Sequence, residues 1–357
     1  MLWIYDCRGC IYSVHLGFYY LHALDHFSAW FLQSYSDMLT KAQPTTTGLE
    51  NMPAFGTSLG CEDAPFIFSS HSEASYAIPI GSQQSFEFSL AGEGVSTLEL
   101  FSTTGDNVLV EMVLRTDDEA NLKGVDLKYG GRLGDSAGFF NLAMPSMLAG
   151  GSCMRVDMKV YIPTKLRRLL LDSRPLTHLK FPSKNDVPNG GQLEELSIAL
   201  RSTLENNVFL SSLALPARRT TIEQHGGYLA GSVALLDNTH IITRETAITY
   251  LAVHSIKVSE DWYPRLVTDT GHGRTTFTYV NKDWRPIDAQ HQSVGGDLYL
   301  QYGGTWFSGP VEIDARSSTT WNVNSDATVY PRHHWVRSRF GSDRLYARTP
   351  GWVGLYF

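Results

Sequence analysis

Three sets of residues in this sequence could do chemistry. The carboxylates Asp297, Glu312 and Asp314 fall on neighbouring predicted strands, and two acids ~5 to 9 Å apart are what glycoside hydrolysis requires. Acids also fill most outward strand positions, so the trio has little specificity of its own. His272, His333 and His334 are metal-ligand types, but adjacent histidines on a strand point to opposite faces and cannot both reach one ion without distortion. A surface-loop role is expected for them. Cys7-Arg8-Gly9-Cys10 has the C-x-x-C spacing that suits zinc or redox chemistry, yet no second ligand pair accompanies it and no βαβ pattern surrounds it. There is no G-x-S-x-G turn, and Ser-His-Asp geometry cannot be read from spacing. The sequence therefore offers no catalytic residues, no metal site and no cofactor, and it favours a non-enzyme.

The aromatics are the remaining candidates. Trp284, Tyr299, Tyr302, Trp306, Phe307 and Trp321 lie close together in the chain, and a row of them on an exposed face could stack on the apolar faces of sugar rings. Core and turn packing is the plainer expectation, because strands are enriched in aromatics anyway. If a ligand site exists, Trp306, Trp321, Tyr302, Asp297 and Asp314 are the residues to form it.

The elements that must position these side chains read as short strands. Residues 297–302 and 311–315 alternate apolar and polar types, as half-buried strands do, and Gly303-Gly304 and Gly309-Pro310 supply the turns between them. Similar alternation recurs at residues 85–90, 97–101, 108–114, 125–129, 154–163, 228–235 and 275–280. The short spacing between runs implies antiparallel or coiled neighbours rather than helical crossovers. The run 154–163 ends on a proline, as an exposed or terminal strand does. Residues 226–235 echo 303–313, with paired glycines, an aromatic, a third glycine and then a strand, which suggests similar turns stacking similar strands. Residues 130–151 read as loop, with Phe139 and Phe140 assigned to core packing. Residues 193–204 have helical spacing, with a strand as the alternative.

Composition agrees with this picture. The 357 residues are 43% hydrophobic, enough for a sizeable core, and only 18% charged, with Gly and aromatics filling the difference. A net charge of -7 argues against nucleic acid as a partner, since phosphate binding needs a dense basic surface. The short basic clusters 165–168 and 218–219 read as solvated strand ends. Four cysteines make no dense disulfide framework, and none lies after Cys153. Residues 11–32 are rich in aromatics and Leu, and 21–32 can be drawn as an amphipathic helix. His15, His22, Asp25 and His26 interrupt any membrane span there, and the opening residues lack the pattern of a secretory signal. A peripheral helix, a degenerate anchor and an extension without its own fold all remain open for this segment. Residues 41–65 read as an irregular linker, and the apolar strand 352–357 is expected to be pinned in the sheet.

From about Leu166 onward the chain resembles the adhesin-like domain of fungal proteins of unknown function, a group itself similar to the bacterial putative-adhesin families. The features that carry the resemblance are the run 156–163 leading into 166–171, the turn and strand 226–235, and His291-x-Ser293-x-Gly295-Gly296-Asp297-Leu298-x-Leu300 followed by Trp306-x-x-Gly309-x-Val311-x-Ile313. It covers about half of the chain, and its motifs are glycines and strand alternation. The resemblance implies an elongated, stacked β fold and brings no catalytic residues with it.

The expectation is thus an all-β, elongated, β-solenoid-like domain over residues 66–357, preceded by a helical or irregular extension over 1–65. Its function would be that of a non-enzymatic interaction or structural protein of the adhesin-like type, with a carbohydrate-active enzyme or carbohydrate-binding module on a β-solenoid as the alternative. Partners would be a protein or a glycan, not nucleic acid. Membrane association could come only through residues 11–32, and the compartment is left open between cytoplasm and cell surface.

Overall fold

The computed structural model describes residues 48–68, 73–131, 136–181, 192–257, 263–281, 285–326 and 334–357. The C-x-x-C pair, the helix drawn over 21–32, Trp284 and His333 lie outside the described residues. Contacts divide the chain into Met1–Thr47 and Gly48–Phe357, and the second unit is the subject here.

This unit is all β: a continuous sheet of 24 strands, interrupted only by short 3-10 turns among the described residues. Between Arg168 and Gln301 the strands pair in parallel, each with the next but one. Arg168–Ser173 pairs with Leu193–Leu200, which pairs in turn with Ala217–His225, Asn238–Arg244, Arg265–Thr270 and Asp288–Ser293. The intervening strands form a second parallel series: Leu176–Lys180, Val208–Ser211, Tyr228–Leu235, Ile248–Ser255, Thr275–Asn281 and Leu298–Gln301. The chain therefore winds as a coil with one strand of each rung in either of two walls. Inward residues of one wall meet those of the other, and the register stacks like on like. Phe88, Leu171, Ile198, Ile222 and Ile241 occupy one inward row and are all at most 3% exposed.

Stacking order departs from chain order at both ends. The rung containing Ala137–Ala143 and Met154–Pro163 lies outside the earlier one containing Ser85–Ala91 and Val95–Thr103. At the other end, Arg344–Tyr356 runs through both walls between Asp288–Ser293 and Leu298–Gln301 on one side and Gly309–Trp321 on the other. The apolar strand at residues 352–357 is thus held between neighbours on both sides.

Several expectations need correcting. Residues 193–200 form a strand and not a helix, because parallel ladders on both sides satisfy their backbone groups and outweigh a weak helical spacing. Ala137–Ala143, read as loop, is a strand between Ser85–Ala91 and Asp126–Gly130 with Phe140 fully buried. Met154–Pro163 is neither exposed nor terminal: it lies between Val95–Thr103 and Asn107–Thr116, with Pro163 as its last paired residue. The echo between 226–235 and 303–313 does not mark equivalent rungs, since Tyr228–Leu235 belongs to one wall and Val311 pairs with Leu345 in the other. Leu298–Gln301 is buried on both faces rather than one. Tyr299 and Gln301 point away from the core but are covered by neighbouring side chains.

The irregular entry is fastened to the coil. Buried Arg155 donates to the carbonyls of Gly56 and Gly60 and to Asp157, while the Gly56 N–H donates to His178 Nδ1. A disulfide joins Cys61 to Cys153 across 92 residues of sequence. Burial holds the His178 pKa below its ordinary value, which keeps Nδ1 free to accept.

Candidate functional site

The register puts chemistry on the two outer surfaces very unevenly. One outward row of the first wall reads Arg168, Glu195, Arg219, Asn238, Arg265, Asp288 and Arg344 across successive strands. Signs largely alternate along it, and ion pairs bridge the rungs: Arg201 with Asp172 at 2.8 Å, Arg218 with Asp237 at 2.8 Å and Arg348 with Asp314 at 3.3 Å. Each such exposed pair contributes little, about 0.2–1 kcal/mol. Their effect is to set register and to occupy the charges.

The second wall is different. Val208–Ser211, Tyr228–Leu235, Ile248–Ser255, Thr275–Asn281 and Leu298–Gln301 contain no Asp, Glu, Lys or Arg. Two outward rows run across them. One passes through Tyr250, Thr276, Tyr299, Gly354 and Thr319, the other through Ala252, Thr278, Gln301, Tyr356 and Trp321. At the open end of this wall the aromatics gather. The Tyr299 and Tyr356 rings are 5.0 Å apart, and Tyr299 and Trp352 are 6.2 Å apart with planes inclined by 26°.

The position of Trp352 is set by an absence of side chain two residues on. A Cβ on Gly354 would stand 2.2 Å from the indole, so the ring lies across the glycine. Its Nε1–H donates to Thr319 Oγ1 on the adjacent strand at 3.1 Å, and its backbone N–H donates to Asp297 Oδ1 at 2.9 Å. Beneath, Thr278 Oγ1 donates to Gln301 Oε1, and Gln301 Nε2 donates to the Tyr299 hydroxyl. Burial raises the pKa of both Tyr299 and Tyr356, so their hydroxyls stay protonated and neutral. The result is an uncharged surface of aromatic faces, hydroxyls and an amide.

The residues singled out in the sequence are scattered by this geometry. Trp321 is half exposed at 48% and stands beside Tyr356 at the edge of the aromatic surface. Trp306, 51% exposed, has the Arg337 guanidinium 4.4 Å over its ring. Tyr302 is 1% exposed and hydrogen-bonds His291 Nε2 at 2.7 Å, packed against Tyr279, Phe307 and Phe357. Asp297 holds the corner before Trp352, and Asp314 pairs with Arg348. Glu312 and Asp314 line an open hollow of about 910 Å³ with Arg344 and Tyr346, and Asp297 is not part of its lining. The three acids do not converge.

Among the described residues, no three His, Cys, Asp or Glu side chains come together in a way that could hold a metal ion. The motif His291 to Asp297 does structural work. His291 links Thr268 to Tyr302, and Ser293 Oγ donates to the Gly271 carbonyl while accepting the Gly296 N–H. Ser293 belongs to a buried polar row that also includes Gln224, Thr243, Thr270 and Thr349, one per rung where the walls meet. Thr270, Ser293 and Thr349 each donate to a backbone carbonyl near this corner, which ties neighbouring rungs together where the walls meet.

Sequence reasoning missed Trp352 and Tyr356 as surface groups. The signal was present between residues 193 and 301 in the alternation of ionisable and non-ionisable strands, which marks two walls with different outer faces there.

No protein family matches the chain, and no curated protein matches it. Among solved structures it is similar to a putative cell adhesion protein from Clostridium sporogenes, at 7% identity and a TM-score of 0.21, over 80% of this chain and 98% of that one. It is also similar to a putative adhesin from Bacteroides fragilis, at 8% identity and a TM-score of 0.33, over 82% of this chain and 98% of that one.

Proposed function

We propose that the chain is a non-enzymatic interaction protein of the adhesin-like type, in which a rigid parallel coil presents its outer surfaces to a partner. The observation that carries this reading is the fate of the ionisable groups. On the described coil many of them are spent on rung-to-rung ion pairs, on corner hydrogen bonds and on fastening the entry segment. An active site instead needs titratable groups that converge on a reacting atom in a cleft. The coil offers breadth: both walls run across many rungs, and recognition over a broad face suits a partner that is itself extended.

The test uses the full-length chain. Immobilised at rising density on beads, it should retain cells or extracellular particles saturably, while releasing no product from chromogenic glycosides, esters or phosphate esters. Turnover of any of these substrates overturns the reading.

A further inference from the structure

We infer that the aromatic surface formed by Trp352, Tyr356 and Trp321, seated on Tyr299, binds a neutral polysaccharide chain by stacking its pyranose rings. The inference rests on the interaction reading above and names the partner's chemistry. Three observations support it. First, the segments 275–281, 298–301, 352–356 and 317–321 that build the surface contain no Asp, Glu, Lys or Arg, whereas the opposite wall is laced with charge. The carboxylate at its margin, Asp297, is engaged by the Trp352 backbone N–H, so a charged ligand gains little there and a neutral one loses nothing. Second, the groups between the rings are hydroxyls and an amide, from Thr278, Thr319 and Gln301, and not aliphatic side chains. A protein partner seeking burial would be met by apolar groups, whereas a sugar presents an apolar ring face edged by hydroxyls, which is what this mixture matches. Third, the indole of Trp352 is fixed before any ligand arrives, by Gly354 below it, Thr319 at its Nε1 and Tyr299 beside it. Pre-organisation of this kind lowers the ordering cost of binding.

Spacing adds a direction. Neighbouring strands in a sheet lie about 4.8 Å apart, comparable to the length of one sugar unit. A glycan running across the strands would therefore place successive rings over the strand of Tyr299, then that of Trp352 and Tyr356, then that of Trp321. Tyr299 itself is only 3% exposed and serves as the seat, while Trp321 at 48% offers the most open ring.

The experiment titrates the full-length chain, by calorimetry and tryptophan fluorescence, with hexasaccharides of glucose, xylose and mannose and with a hexauronate of matching length. At least one neutral hexasaccharide should bind, more tightly than the hexauronate and without loss in high salt. Trp321→Ala and Trp352→Ala should each weaken it about tenfold, the scale of one ring stacked on an aromatic. Trp306→Ala, whose ring is covered by Arg337, should leave it unchanged. Trp321 is half exposed on an edge strand, so its removal keeps the melting midpoint of the parent and tests the surface even if Trp352→Ala fails to fold. The inference is overturned if no neutral hexasaccharide binds at millimolar concentration, if the hexauronate binds better, or if Trp321→Ala binds as the parent does. It is equally overturned if the chain self-associates through this face, with Trp321→Ala restoring the monomer, since the occupant is then a second copy. Absence of glycan binding leaves the interaction reading standing, whereas hydrolysis of a bound hexasaccharide removes that reading and leaves the surface assigned.

Discussion

His291 shows how a residue that looks reactive is used for shape. It continues the inward row of Ile222 and Ile241, next to Thr268, and is fully buried. Burial pushes its pKa down to about 3, so the ring is neutral and can donate from one nitrogen while accepting at the other. The consequence for stability has a definite sign. Between about pH 6.5 and 3 the unfolded chain takes up a proton on this ring that the folded chain refuses, so stability falls as pH falls through that window, by about 1.4 kcal/mol for each pH unit. Urea unfolding of the parent and of His291→Gln at pH 6.5 and 4.5 should differ by one proton in their pH dependence, the variant being flatter. An equal slope for the two would mean that the ring is hydrated and titrates normally. Tyr302→Phe tests the other end of the same hydrogen bond. It removes the hydroxyl that meets Nε2 at 2.7 Å and should cost about 1–3 kcal/mol in the same assay, the usual penalty for a buried polar atom left without its partner.

At the level of the strand, much of the fold was legible, and the reasons for the exceptions are physical. Residues 311–315 alternate strictly, and they are part of a strand because period-two alternation has no helical counterpart. Residues 193–200 were ambiguous because Leu193, Leu196 and Leu200 also fit a helical face. Ladders to strands distant in sequence decide the matter, and a local window cannot see them. The placement of the candidate surface was not legible. Core and turn packing was the plainer expectation for the aromatics, with Trp306 and Trp321 as the residues of a ligand site if one exists; Trp306 lies under Arg337, and the surface is built on Trp352, which is placed by cross-strand neighbours from three segments. Gly354 tests that placement. Gly354→Ala puts a methyl group 2.2 Å from the indole, forcing the ring off the sheet. The variant should stay folded by circular dichroism, show a shifted tryptophan emission maximum and lose hexasaccharide affinity about tenfold, as Trp352→Ala does. Unchanged emission would show that the ring never lay across the glycine. A glycine elsewhere is explained by backbone alone: Gly227 has φ +76, and a Cβ there would stand 2.1 Å from the Asn207 carbonyl oxygen of the previous rung.

Over the whole coil, the order of stacking has a consequence that chain order hides. In a simple coil each rung docks on the one made before it, so removing the final strand would only shorten the stack. Here Arg344–Tyr356 is the last strand in the chain but lies inside the stack, and it is the parallel neighbour of Gly309–Trp321 along nearly its whole length. Without it, the described part of Gly309–Trp321 keeps only the short antiparallel pairing of Gly309, Pro310 and Val311 with His334–Val336. Outward Tyr356 and Trp352 would leave with the strand, and Tyr299 would lose its cover. Truncation after Asp343 should therefore do more than trim an end. Hydrogen exchange followed by mass spectrometry should show protection lost over 288–301 and 309–321 together, with residues 193–255 still protected. It should also abolish hexasaccharide binding, because the deletion removes two of the surface's three rings, both partly buried, and the strand that positions the exposed third. Protection confined to its parental pattern over 309–321 would mean that this strand docks directly on Asp288–Ser293. The inserted strand would then be an addition to a finished coil and not the piece that completes it.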